Sequence, residues 1–209
     1  MKKKQVSLAV LLCVFLPAMN VFGQTAQPAP VQLSVALSSG NVTLTARGDN
    51  YSSGIGAVVG TLRNNTSVEL SIDVSVTGGL YLRNSGAGQN MLATRVFLKG
   101  GRYSRVGTNR FITVSAGASV EIEIEAFCAD MKLDNPAPSE SFSTGSTPSV
   151  ILSISSKIGR YRADNFGAEL TIPIQIALWR TQGHSRPEIS AKLSFTGGDW
   201  EIATTIINY

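Results

Sequence analysis

The feature that most constrains this chain is a period of two. From Val68 to Val76, Val68, Leu70, Ile72, Val74 and Val76 alternate with Glu69, Ser71, Asp73 and Ser75. From Val120 to Cys128, Val120, Ile122, Ile124 and Ala126 alternate with Glu121, Glu123 and Glu125. Successive side chains of a strand point to opposite faces, so each segment predicts a strand with one apolar and one polar side. The three glutamates predict that their side meets water. The same alternation runs through Val31, Leu33, Val35 and Leu37, and Val42 and Leu44 follow Gly40-Asn41 as the return of a hairpin would. Further strands are expected at 56–63, 92–98, 110–115, 149–156, 189–196 and 200–207. Turn-forming pairs separate them: Asn64-Asn65, Gly78-Gly79, Gly100-Gly101, Ala116-Gly117 and Gly197-Gly198. Short strands joined by glycine turns predict a mainly β domain, an antiparallel sandwich. A hydrophobic share of 43% is enough for a real core.

Two stretches break the rhythm. Residues 129–148, ADMKLDNPAPSESFSTGSTP, contain three prolines and many small polar residues, and predict a long exposed loop. In AELTIPIQIALWRTQGH, Leu170, Ile172, Ile174, Ile176 and Leu178 alternate as on a strand. Pro173 near the start, Gly183 at the end and Thr171 as a cap follow the asymmetry of a helix instead. Both readings of 170–182 stand, and a short helix is favoured.

The N-terminus reads as a signal for export. Lys2, Lys3 and Lys4 precede an apolar run from Val6 to Leu16, then Pro17, Asn20 and Gly23, so a cleaved signal peptide over 1–23 is expected, with cutting before Gln24. The run is too short to span a bilayer, and no later stretch reaches that length, so no membrane span is expected in the mature chain. Residues 24–30, QTAQPAP, form a tether, and 31–209 a single β-sandwich domain. Loss of the three lysines leaves 15 basic residues against 14 acidic ones, a balance that disfavours a nucleic-acid partner. The expected location is periplasmic, cell-surface or secreted.

With Cys13 gone, Cys128 is the single cysteine, so no internal disulfide can form. It falls on the inward parity of its strand, where the plain reading is a small buried hydrophobe. Phe127-Cys128-Ala129 also resembles the aromatic-Cys-apolar motif of bacterial thioester adhesion domains. Ile174-Gln175-Ile176-Ala177-Leu178-Trp179 resembles their second motif, an apolar residue and Gln followed by two spacers and two apolar residues. The resemblance implies Cys128 as the thiol and Gln175 as the acyl donor of a thioester that captures amines. Over roughly 64 to 183, the Cys-x-Asp, the proline-rich loop and the Gln-x-Ala-Leu-Trp segment resemble exported bacterial immunoglobulin-like domains. That broader resemblance implies an immunoglobulin-like β-sandwich carrying the long loop and one short helix.

Lys99, Arg102, Arg105 and Arg110, with Tyr103 among them, form a local basic patch that suits an acidic polysaccharide or a phosphate; a solvated hairpin face is the favoured explanation. Alternate glutamates on a flat strand supply no calcium loop, one His gives no metal site, and no cofactor is expected. Asp73, Asp130, Asp134, Glu140 and Asp164 show no spacing that singles out an acid/base couple. The function expected first is a non-catalytic binding or adhesion module whose partner is a protein or polysaccharide at the cell surface. A covalent adhesin and a secreted hydrolase are the alternatives.

Overall fold

A computed structural model describes residues 29–49, 54–100, 110–165 and 168–209. The expected signal peptide, most of the tether, and Arg102 and Arg105 of the basic patch lie outside these residues. The described chain is mainly β, with nine strands and five helical segments. Six strands close into a barrel: β2 (Val42–Gly48), β3 (Gly54–Asn64), β8 (Ser119–Cys128), β6 (Met91–Leu98), β5 (Ser75–Asn84) and β9 (Ser141–Gly145). A separate three-stranded sheet holds β1 (Val31–Gln32), β4 (Leu70–Asp73) and β7 (Phe111–Val114). A closed barrel beside a small sheet is not clearly the immunoglobulin-like sandwich the sequence led us to expect.

Registry shows why the barrel closes. Val58 pairs with Ile124 and Ile124 with Val96, while Leu82 pairs with Met91 and Met91 with Cys128. Directly paired residues share a face, and these are all buried. On β2 the opposite face carries exposed Thr43, Thr45 and Arg47, so the shared face points inward. At Gly60, opposite Ala46, a β-carbon would run into the Thr45 carbonyl. Only glycine lets these two strands approach so closely.

The barrel's outer face is covered along β5, β6 and β8. Helix α2 (Ser149–Asp164) packs on β5 and β6, directly over Gly79, where a β-carbon would come within 2.9 Å of Ser155 Cβ. Helix α3 (Thr171–Thr181) packs against β8, α2 and α5 (Gly197–Asn208). This cover corrects the reading of the glutamate face. Glu121 is exposed, but Glu123 and Glu125 retain only 8% and 1% of their surface. Glu125 is buried because Arg162 reaches it from α2 at 2.5 Å and Arg95 from β6 at 2.8 Å, with the Thr94 hydroxyl donating at 2.7 Å.

Two of the expected strands are helical and a third is mostly loop. Over 149–156 the buried residues are Ile151, Ile154 and Ser155, continued by Ile158 and Arg162; this spacing of three and four is one face of α2. The segment 189–196 holds the end of α4 (Arg186–Ser190) and a loop, and 200–207 lies within α5. Thr196 caps α5 reciprocally: its hydroxyl accepts from Asp199 N, and its backbone N–H donates to the Asp199 carboxylate. After two residues of β1 the first alternating run becomes α1 (Leu33–Ser38), which buries Leu33 and Ala36 and leaves Val35 exposed. The clearest alternating segment is shorter than its pattern. Val68 is 60% exposed, and the strand breaks at Val74, where Asp73 Oδ1 accepts from the backbone and hydroxyl of Ser75. Segment 170–182 is the favoured helix, in contrast to the single helix expected for the whole chain.

The loop 129–148 is pinned rather than free. Asp130 accepts from the backbone and side chain of Asn90, the Asp134 carbonyl from Gln89 N, and Glu140 from Asn84, Gly88 N and Ala137 N. Its last part is β9, the strand that joins β2 to β5.

Candidate functional site

Strand β3 begins opposite Ala126, two residues short of the end of β8. Among the described residues, Cys128 pairs with Met91 of β6. Helix α3 supplies the other side. Gln175 and Trp179 stand one turn apart on the face that meets the strand. The Cys128 backbone N–H donates to Gln175 Oε1 at 2.9 Å, and Gln175 Nε2 donates back to the Cys128 carbonyl at 2.9 Å. Trp179 Nε1 donates to the same carbonyl, also at 2.9 Å. The carboxamide thus acts as a strand neighbour would, matching one acceptor and one donor to the Cys128 backbone N–H and carbonyl. Continuous apolar sequence around Gln175 keeps this exchange dry; the side chains from Pro173 to Trp179 are all buried.

The structure brings together the two residues that the thioester resemblance implies, Cys128 and Gln175. The Cys128 side chain is 3% exposed, with its sulfur 3.9 Å from Asn135 Oδ1. Burial, reinforced by the nearby Asp130 charge, pushes the thiol up to about 12. At neutral pH it is a thiol and a weak nucleophile.

A cleft of about 230 Å³ opens over this junction. Gln89, Cys128 and Gln175 contribute polar lining, Asn135 and Lys192 flank them, and Trp179 forms a wall. Gln89 is 3% exposed; its Nε2 donates to Asn135 Oδ1 at 2.9 Å, while its Oε1 is buried without a hydrogen-bond partner. Neither Gln89 nor Lys192 announces itself in the sequence, because the first follows a glycine turn and the second sits in a short loop. Only the fold puts them beside Cys128.

Of the basic patch, the two described residues, Lys99 and Arg110, do not line this cleft. Lys99 pairs with Glu121 at 2.9 Å, both exposed, and Arg110 reaches Asp73 Oδ2 at 2.7 Å. Burial works to raise the Asp73 carboxyl, but hydrogen bonds from Arg110 and Ser75 outweigh it and hold the group below its usual range. Three other carboxylates weighed for hydrolysis tie down turns and termini: Asp130 and Glu140 hold the pinned loop, and Asp164 accepts from the Tyr209 hydroxyl. Among the described residues no group of His, Cys, Asp or Glu is arranged to hold a metal ion, and no helix is long and apolar enough to cross a membrane. Compared with protein-family models, curated proteins and solved structures, the chain matches none.

Proposed function

We propose that this chain is an exported, non-catalytic binding module of the bacterial envelope or surface. Its partner is a protein or polysaccharide at the cell surface, and its contacts are made at the cleft. The sequence resemblance to exported immunoglobulin-like domains implies contacts made by loops on a β scaffold. The observation that carries the reading is the cleft's composition. Polar groups of Gln89, Cys128 and Gln175 converge among apolar walls from Met131, Trp179 and Leu193, with Leu133 46% exposed among them. A concave site with a few placed polar groups among apolar walls is the common form of a ligand site.

The test is saturable binding of residues 24–209 to isolated envelope polysaccharide and, separately, to envelope protein. Leu133→Asp is expected to weaken that binding at least tenfold, because the aspartate puts a charge on the apolar lining. Equal binding by wild type and variant overturns the reading.

A covalent adhesin is the second reading, favoured by the Gln175 carboxamide lying against Cys128 in the same cleft. Attack of Sγ on the Gln175 carboxamide carbon forms the S–C bond and breaks the C–N bond. Ammonia leaves with the thiol proton. The mature protein would then be lighter by one ammonia and would take up methylamine at Gln175. Full mass and no methylamine uptake remove this reading. The raised thiol pKa places it second.

A further inference from the structure

We propose that Arg180 and Arg186, stacked on Trp200 where α3, α4 and α5 meet, form a carboxylate-binding site for an acidic polysaccharide. The site is separate from the cleft and uses other residues. Its floor is the entry to α5. Phe195 precedes the Thr196 cap and Trp200 follows it by one turn, the two positions of a hydrophobic staple, and their rings stack at 5.7 Å with 20° between the planes. Packing of the helix entry accounts for that pair of rings, but not for the two cations laid on it. The Arg180 guanidinium lies 4.2 Å from the centre of the Trp200 ring. The Arg186 guanidinium lies 5.1 Å from the same centre and 5.8 Å from that of Phe195. Arg180 comes from the last turn of α3, where a cation suits the helix dipole. Arg186 opens α4, where a cation gains nothing from the dipole.

Lys99 and Arg110 each hold a carboxylate. Among the described residues, Arg180 and Arg186 make no ion pair. The acids nearest them in the chain are engaged elsewhere: Glu188 accepts from the Ser185 backbone and hydroxyl, and Asp199 from those of Thr196. Glu201, beside Trp200, is exposed and pairs with neither arginine. Arg180 spends Nη1 on the Thr204 hydroxyl at 2.7 Å and the Trp200 carbonyl at 3.4 Å. Burial lowers its pKa, and no acid offsets that. Arg186 is exposed, and among the described residues its guanidinium makes no hydrogen bond. Stacking on the rings orients it without using an N–H, so its planar fork stays open. A carboxylate takes two parallel N–H bonds from such a fork. The surroundings select the carrier. Arg180, Arg186 and Trp200 all lie on helices, which offer an acidic peptide no strand edge to extend. A uronic acid carries its carboxylate on a ring with an apolar face, which suits half-buried Phe195 and Trp200. Repeated carboxylates along a polymer also let weak contacts at an open site act together.

The test is a two-dimensional NMR titration of the ¹⁵N-labelled protein at low salt. The probe is tetragalacturonate, and the uncharged galactose tetramer is its control without carboxylates. Tetraglutamate and inorganic phosphate stand for a peptide source and a bare oxyanion. The chain has two tryptophans, so the Trp179 indole N–H is an internal reference for that of Trp200. Saturable shifts are expected with tetragalacturonate, largest at the Trp200 indole and at the amides of Arg186 and Thr196. Arg186→Met removes the fork and is expected to weaken the interaction at least about fivefold. Arg186 is exposed, so its variant keeps the fold. Silence from tetragalacturonate overturns the proposal, as does equal binding of the uncharged tetramer, or unchanged affinity in Arg186→Met. Tetraglutamate or phosphate binding as tightly as tetragalacturonate overturns the polysaccharide assignment. The cleft is scored by Leu133→Asp and this site by Arg186→Met, so either reading can fail alone.

Discussion

Replacing Gln175 by methionine keeps the length and nearly the shape of the side chain while removing both of its hydrogen bonds. Two backbone groups of Cys128 feel the change unequally. The buried N–H loses its acceptor Gln175 Oε1, at about 1–3 kcal/mol. The carbonyl keeps the Trp179 indole, so losing its second donor costs about 1 kcal/mol or less. Together the substitution should cost about 2–4 kcal/mol. Trp179→Phe alone should spare the carbonyl through Gln175 Nε2, so its polar share is again about 1 kcal/mol. In the double variant the carbonyl loses both of these donors, and the penalty should exceed the sum of the singles by about 0.5–3 kcal/mol. Urea unfolding followed by circular dichroism measures all four corners of the cycle. A cost below about 0.5 kcal/mol for Gln175→Met, or strict additivity, would refute the view that this side chain completes the β8 ladder.

Glu125→Gln should destabilise by about 3–5 kcal/mol because it strands two arginines, one buried, whereas Glu121→Gln at the exposed Lys99 pair should cost under about 1 kcal/mol. Chemical denaturation separates the two, and equal effects would mean that α2 does not cover this face. Cys128 should resist thiol reagents at pH 8, where a pKa near 12 leaves about one thiolate in 10⁴, and should react fully in denaturant. Since that thiol is raised on folding, its stability contribution is complete below the ordinary value of 9.0 and is lost as pH climbs toward 12; Cys128→Ala should flatten that alkaline loss in melting curves. Asp73 and Glu140 are held below 3.8 and 4.5, Glu140 chiefly by Asn84, so their contribution is present above those values and fades as pH falls beneath them. Glu140→Gln should reduce the acid dependence of the melting temperature, and an unchanged slope would argue against the pinned loop.

Where sequence and structure agree, one local signal dominated. Val120 to Cys128 alternates over nine residues and is a strand; Pro173 and Gly183 bracket a helix as their backbone limits require. The disagreements come from cover that no local pattern carries. Glu125 is charged and alternates with isoleucine, yet it is buried, because Arg162 arrives from a helix 37 residues later. The segment from Ser149 alternates at Val150, Leu152 and Ile154, and its helical stripe emerges only when Ile158 and Arg162 are counted with Ile151 and Ile154. For α5 a usable signal was present in Thr196 and Asp199, the capping pair, and the glycines between them masked it. At the cleft, the sequence named Cys128 and Gln175 through resemblance. Gln89 was invisible, because a residue after a glycine turn carries no local sign of the cleft it lines.

The position of β9 in the barrel has a kinetic consequence. Ser141–Gly145 is the last strand in the chain, yet it lies between β2 and β5, which come from the first half. Until it inserts, both neighbours keep open edges, and two rows of unpaired backbone groups can recruit another molecule. Closure also waits for the proline-bearing segment before it to find Asn84, Gln89 and Asn90, contacts that span 40 residues or more. Such distant pairing slows folding. A newly made chain therefore spends its most aggregation-prone interval nearly complete, with a barrel lacking one stave, and changes at residues 129–145 should lower soluble yield more than they lower the stability of the molecules that finish.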